Sequence, residues 1–518
     1  MVLFSVFKRG TALISRRWAA IAAVVLLFAP VAVNAGPASD EFSVASRSPP
    51  LLRAFLYRMP KGADLHNHLS GAAYAEAIIR AAATAGHCVD PASGALVGNT
   101  PCIPPHRPFK DALTDAGLNR TLVNLWSMRD FVATSGNSGH DHFFAAFGLF
   151  GGAAPAGDMA ADVVDRAGRQ RMRYVELMIS FQSQALSKLA ETVEAAHPWT
   201  GDAAAFEKAL NEAGIADVVK AAIPEIDVVE SRMRGLMKCD TKDAHAGCGV
   251  TVRWLQQVSR VGSAARVFTQ TMFGALLQKA DKRVVGLDYV APEDDPKALA
   301  NYTAHMRMLD YLHTRMPDTN ISLHAGELTM GLVRPEDLLF HIRQAVELGH
   351  AKRIGHGVDV MFEEDPFGLL KLMAQRRVAV EVNLTSNAQI LGVQGADHPF
   401  PVYRARGVPV VLSTDDEGIE RIDRTHELQR AVQTYRLDWN GLVALERNTL
   451  EYAFVEGKSL WANPVSWRFV RECEGSYPAL KPSSTCAAFL ERSEKARLQW
   501  ALEADLIAFD REIATRPR

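Results

Sequence analysis

The chain lacks any marked excess of charge. Its 57 lysines and arginines nearly balance 59 aspartates and glutamates, for a formal net charge of −2. It has no long block of like charge and no basic amphipathic stretch, which argues against nucleic acid as a partner. No GxGxxG opens a helix, so a dinucleotide-binding sheet would be without its phosphate loop. The six cysteines form no CxxC pair, which argues against structural zinc held through sulfur. Internal repeats at a fixed period and long low-complexity tracts are also missing.

What is present is a large capacity for core. The 518 residues are 48% hydrophobic and 22% charged. Such a length usually means two or three domains, but α/β barrels run long as one. The N-terminus carries Lys8, Arg9, Arg16 and Arg17, then the apolar run "WAAIAAVVLLFAPVAV", then Val33-Asn34-Ala35. A basic region, an apolar core of about 15 residues and a small-x-small ending describe a secretory signal. We expect residues 1–35 to be removed, which takes away four cations and moves the net charge to about −6. The alternative is a retained anchor, since the run nearly suffices to span a bilayer if Pro30 is tolerated. No cysteine follows the run, which argues against a lipid anchor. The expectation is an exported, periplasmic or secreted protein with no stable membrane partner after cleavage.

All six cysteines fall in the exported part, and an even count in an oxidising compartment implies disulfides. Six cysteines permit 15 pairings. Their positions fall into three local couples separated by turn residues, so we expect Cys88–Cys102, Cys239–Cys248 and Cys473–Cys486.

Residues 36–58 read as a polar lead-in ending in a short helix, and 59–518 as a barrel with added C-terminal helices. Eight β-branched or aromatic runs alternate with helical patterns: 63–69, 173–180, 250–259, 283–290, 320–327, 353–358, 378–387 and 408–416. The alternation predicts an α/β fold, a (β/α)8 barrel of the TIM type with inserted loops. A doubly wound open sheet is the alternative. Segments 86–110 and 236–249 look inserted. The aromatic-rich stretch 122–150 reads as a lid over the barrel mouth or as ordinary helix packing.

Within "KGADLHNHLSGA", His66 and His68 stand two apart. By itself this spacing is weak, arising by chance in about one chain in two of this histidine content. "HDH" (His140, His142) has the same spacing in a segment that reads as helix or loop, where positions i and i+2 face apart. On a strand they share a face. "SLHAGE", "RIGHGV" and "LSTDD" place further His, Glu and Asp at the ends of the fifth, sixth and eighth runs, where barrel enzymes hold their active sites. His66, His68, His324 and Asp415 would give three nitrogens and one carboxylate oxygen. That set suits one zinc ion with an open position, and iron(II) or cobalt also fit.

"LHNHLSGA", "LHAGE", "RIGHGV", "NLTSNAQI" and "STDD", in this order, resemble the adenosine deaminase family of zinc-dependent barrel hydrolases. "RMPKGADLH" and the secretory signal are similar to its exported branch, the adenosine deaminase-related growth factors. The resemblance implies one Zn2+ on His66, His68, His324 and Asp415. It implies Glu327 as the acid that protonates purine N1, and His356 as the residue that orients and deprotonates the water. It implies Asp416 as the carboxylate that bonds the nucleophile and ring N7. The implied reaction turns adenosine or 2′-deoxyadenosine into inosine or 2′-deoxyinosine and releases ammonia.

Three positions depart from the family. Ser70 stands where an aspartate is usual and would hold ribose hydroxyls less strongly. Ala291 stands where a glycine approaches the purine, and its Cβ could crowd the base. Glu417 replaces a proline, which reads as a tolerated loop change. A deaminase or mononuclear amidohydrolase acting on adenine, AMP or a modified nucleoside is the first rival reading. A two-metal amidohydrolase is disfavoured because "GLDYV" offers no bridging lysine. A non-catalytic extracellular nucleoside-binding protein is the rival from another class.

Overall fold

The computed structural model describes residues 36–516, so the expected signal segment lies outside the described residues. Eight strands form one sheet: β1 (Lys61–His68), β2 (Met172–Ile179), β3 (Thr251–Ser259), β4 (Val284–Val290), β5 (Ile321–Ala325), β6 (Arg353–His356), β7 (Ala379–Val382) and β8 (Val410–Leu412). They neighbour one another in chain order, and every ladder is parallel. Just beyond β8, Asp415 N–H donates to the carbonyl of His66 at 2.9 Å, and His68 N–H donates to that of Asp415 at 3.0 Å. This bridge joins the last strand to the first and closes the (β/α)8 barrel expected from the alternation.

Parallel strands covered on both faces must be apolar almost throughout. "VVGLDYV" and "AVEV" meet that demand, and the exceptions, Asp288 and Glu381, are fully buried and point to the site. The fifth, seventh and eighth runs end well before their sequences suggest. The fifth stops at Ala325, because Gly326 turns the chain with φ +76°. The seventh stops at Val382 and passes into a helix, Leu384–Ile390, where Asn383, Ser386 and Asn387 leave the strand ladder. The eighth stops at Leu412, so Asp415 and Asp416 stand on a loop.

The lead-in is two helices, Pro37–Ala45 and Pro49–Arg58, each with proline in its first turn, where no backbone donor is lost. Phe42 and Phe55 pack on Trp439, and Phe55 on Phe509, so this segment shares the barrel's hydrophobic core. Lys61, fully buried at the start of β1, donates to the carbonyls of Leu56, Met59 and Gln170 and ties the second helix to the barrel floor. The structure pairs Cys88 with Cys102, Cys239 with Cys248, and Cys473 with Cys486. Each bridge closes a short loop, and constraint of the unfolded chain stabilises the fold by roughly 3 kcal/mol per bridge.

Candidate metal centre and active site

Every chemistry-bearing residue singled out in the sequence comes to the C-terminal mouth of the barrel. His66 and His68 point inward from the end of β1, His324 from β5 and His356 from the last position of β6, while Asp415 and Asp416 follow β8. Asp415 Oδ1 is 3.3 Å from Nε2 of His66 and 3.3 Å from Nε2 of His68. Nε2 of His68 is 3.0 Å from Nε2 of His324. His66, His324, His356 and Asp415 also present ligand atoms within 4.8 Å of one another. By contrast, His140 pairs with Asp294 and His142 with the carbonyl of Ser127, so "HDH" forms no common site.

The far side of each ring decides what the near side can do. Nδ1 of His66 donates to Glu381 Oε2 at 2.7 Å, and Nδ1 of His324 donates to Asp288 Oδ1 at 2.8 Å. Both Nε2 atoms are thereby left as lone pairs. Gln257 Nε2 lies 2.9 Å from Nδ1 of His68, and Ser180 Oγ donates to Gln257 Oε1 at 3.0 Å. In this arrangement Gln257 donates to Nδ1 and His68 carries its proton on Nε2, so ligation through Nε2 requires the amide to turn its oxygen to the ring. Nε2 of His66 is buried without a hydrogen-bond partner. Once His68 takes that tautomer, its Nε2 lone pair and that of His324 face each other at 3.0 Å and would need a cation between them. Three nitrogens and a carboxylate oxygen therefore fit a zinc-type ion in charge, donor type and number.

The acids behave differently from one another. Burial, with the nearby charge of Asp415, pushes Glu327 well above the ordinary carboxylate range. The same two causes push Asp416 up. Asp415 is held well below its usual value: burial opposes ionisation, but His66 and the neighbouring imidazoles outweigh it. Burial keeps the imidazole of His356 neutral. Glu293 fixes the turn that carries Glu327, accepting from the backbone N–H of Gly326 at 3.2 Å and of Glu327 at 2.8 Å. Against the cost of burial, His341 and Arg260 hold Glu293 down to about 2.

A cavity of about 400 Å³ opens over these groups. Ser70, Ala291, Asp416 and Glu327 line it, together with Phe143, Phe144 and Phe147 of the helix Gly139–Phe150. The aromatic stretch thus covers the mouth, and only Phe143 among these three is fully packed away. Ala291 (φ +82°), His356 (φ +66°) and Asp415 (φ +57°) all occupy the left-handed region. Strained backbone at three strand ends around one cavity is the pattern of a site whose geometry outranks local comfort.

Glu417 is not a free loop substitution. It is buried, it meets Arg166 at 3.0 Å, and Arg166 also donates to Ala72 O. The loop after β8 is thereby clamped to the loop after β1, where a Cβ on Gly71 would fall 1.6 Å from Asp416 Oδ1. Sequence reasoning missed Glu417, Gln257, Asp288, Glu293 and Glu381 as supports. Gln257, Asp288 and Glu381 showed one legible signal, polarity inside otherwise apolar strand runs, whereas Glu293 and Glu417 lie outside the strands and carried none.

The adenosine deaminase family model matches residues 153–460, more than half of the chain. The adenosine deaminase of Salmonella heidelberg is 30% identical over 234 residues, covering 45% of this chain and 63% of that protein. That of Mycobacterium marinum is 26% identical over 238 residues, covering 44% and 61%. The chain therefore spans about three fifths of the length of these curated relatives. Among solved structures, an Arabidopsis N6-mAMP deaminase superposes with a TM-score of 0.50 at 20% identity, covering 78% of this chain and 96% of the other, and shares its fold. The matched segment begins after β1, yet the barrel brings His66 and His68 to the residues within it, and with that the chain belongs to the adenosine deaminase family.

Proposed function

We propose that this protein is a zinc-dependent hydrolase that deaminates an uncharged purine nucleoside, adenosine or 2′-deoxyadenosine, and releases ammonia. One observation carries the reading. Three imidazoles and Asp415 converge beside a carboxyl that burial keeps protonated, all under one cavity of nucleoside size.

His66, His68, His324 and Asp415 would hold the ion. Zinc in such a site supplies Lewis acidity that makes hydroxide available near neutral pH. Carbon 6 of the purine is a poor electrophile, and attack there pushes negative charge onto N1. Glu327, protonated in its dry setting, donates to N1 as that charge develops. Asp416, whose Oδ1 has no partner, accepts from the nucleophile and addresses N7. His356 orients the nucleophile, with Nε2 3.6 Å from Asp415 Oδ2. Phe143, Phe144 and Phe147 exclude bulk water and stack on the base.

No lysine or arginine is among the described residues lining this cavity. A phosphate there would face Glu327, Asp415 and Asp416 without a counter-charge, so nucleotides are disfavoured. A panel of adenosine, deoxyadenosine, adenine and AMP, followed by ammonia release and parallel metal analysis, tests the reading. Turnover of the nucleosides with about one zinc per chain is expected. Binding without ammonia would favour the nucleoside-binding alternative, and preference for AMP would displace the uncharged substrate. Export, with the three disulfides as its support, belongs to the same proposal.

Ala291 gives a separate test. Its left-handed backbone costs a residue with Cβ about 1–2 kcal/mol, against the ~0.5–1 kcal/mol extra chain entropy of glycine. Ala291→Gly is therefore expected to stabilise the fold by roughly 0.5–1 kcal/mol in denaturant titration. It should also lower KM for the bulkier members of the panel, because the removed methyl borders the cavity. A destabilised variant would show that the Ala291 methyl contributes packing that outweighs its strain.

A further inference from the structure

We infer that His398 is a positioning residue that fixes, through Asn387, which nitrogen of His356 carries the proton. The inference rests on the proposed deamination for its kinetic consequence, but on hydrogen-bond polarity alone for its structure.

The direction of the chain of bonds is set at its outer end. The backbone N–H of Phe400 can only donate, and it donates to Nδ1 of His398 at 3.1 Å. Nδ1 of His398 therefore bears no proton, and the ring's hydrogen lies on Nε2. Nε2 meets Asn387 Oδ1 at 3.0 Å and donates to it. The amide cannot turn over, because its nitrogen would then face an N–H. Its Nδ2 consequently points to His356 and donates to Nδ1 at 2.8 Å. A neutral His356 that accepts at Nδ1 must carry its proton on Nε2, the atom directed at the cavity side. All three side chains are buried to within 1% of complete, so water cannot substitute for a missing link.

The consequence is specific. With Nε2–H toward the nucleophile, His356 enters the reaction as a hydrogen-bond donor that aims an oxygen lone pair at carbon 6. It is not poised to take a proton at that atom. The proton then passes to a carboxylate, and Asp416, which is no ligand of the proposed zinc, lines the cavity to receive it. Atoms balance without any added reactant: water supplies hydroxyl to carbon 6 and one proton, and ammonia leaves. This changes the role that resemblance implies for His356, from base to donor.

Neutron diffraction of the metal-loaded, deuterium-exchanged protein reads the arrangement directly. Deuterium on Nε2 and not on Nδ1 of His356, with deuterium on Nε2 of His398, is the expected result. Deuterium on Nδ1 of His356 would overturn the inference. Kinetics supply the second arm. Asn387→Asp puts an acceptor where the donor was and should lower kcat by about 100-fold at nearly constant KM and zinc content, as expected for losing one correctly placed proton. His398→Gln, which keeps a donor in the position of Nε2, should stay within about threefold of wild type, whereas His398→Phe should lose about tenfold in kcat. Equal kcat for the Gln and Phe variants, with only stability altered, would reduce His398 to a packing residue. If wild type turns over no purine, the proposed function fails, while the neutron arm still decides the proton position.

Discussion

If the proposed deamination holds, Glu327→Gln is expected to lower kcat by about 10²–10⁴-fold while zinc stays bound, because in that reaction Glu327 acts as the general acid and not as a ligand. The physical case lies in the environment of the carboxyl. Glu327 is 8% exposed, and its charged form would face Asp415 in a site lined by apolar rings. Burial and that neighbouring charge both favour the protonated form. Its backbone is held by Glu293, so the carboxyl is aimed without having to order itself during the reaction. Glutamine keeps the shape and a donor, but its N–H cannot be transferred to N1. The loss should therefore appear in kcat, with KM changed little. Steady-state ammonia release together with metal analysis separates the outcomes. Wild-type turnover in the variant would remove Glu327 from the chemistry. Loss of zinc would mean that the turn after β5 supports the metal ligands and not the substrate.

The sequence disclosed this site unevenly, for reasons that can be traced to single residues. His66 and His68 were legible because strand periodicity puts alternate residues on one face, and both rings reach Asp415 although the ladder of β1 to β2 slips between Asp64 and Asn67. His324, His356 and Asp415 were legible because each follows an apolar run at the end where barrel sites form. The strand ends were not: the apolar runs read on to 327, 387 and 416, but the strands end at Ala325, Val382 and Leu412, the first of them at the left-handed turn of Gly326. Glu417 read as a loop change because its partner, Arg166, lies 251 residues away. The pairing of Glu381 with His66 spans 315 residues, and that of His324 with Asp288 spans 36. No local pattern carries such contacts. The left-handed backbone of Ala291 was equally hidden, since alanine rarely adopts it.

Arg353→Met should destabilise the protein by about 3–5 kcal/mol, the range seen when one partner is removed from a buried ion network. Arg353 is fully buried at the start of β6. Its guanidinium bonds Glu381 through Nε, Glu176 through Nη2 at 2.6 Å and the carbonyl of Tyr452 at 3.0 Å, and the ring of Phe454 covers it at 3.6 Å. Methionine would fill much of the volume but leave two carboxylates in the barrel interior with no cation between them. Glu176 could still accept from Tyr174 and from the backbone of Phe454, and Glu381 from Ser322. Neutral donors do not cancel two buried charges, so one carboxyl must take up a proton or the interior must open. The effect should reach the metal. Glu381 orients His66, and loss of such a support typically weakens metal affinity 10–100-fold. Denaturant unfolding with the disulfides intact measures the first effect, and competition with a chelator measures the second. Glu176→Gln combined with Arg353→Met removes one of the stranded charges and should recover part of the stability but none of the lost zinc affinity, because Glu381 stays uncompensated. Recovery of both would assign the metal effect to general loosening of the barrel. A loss below about 1 kcal/mol in the single variant would mean that the network is held by its neutral partners and not by the ion pair.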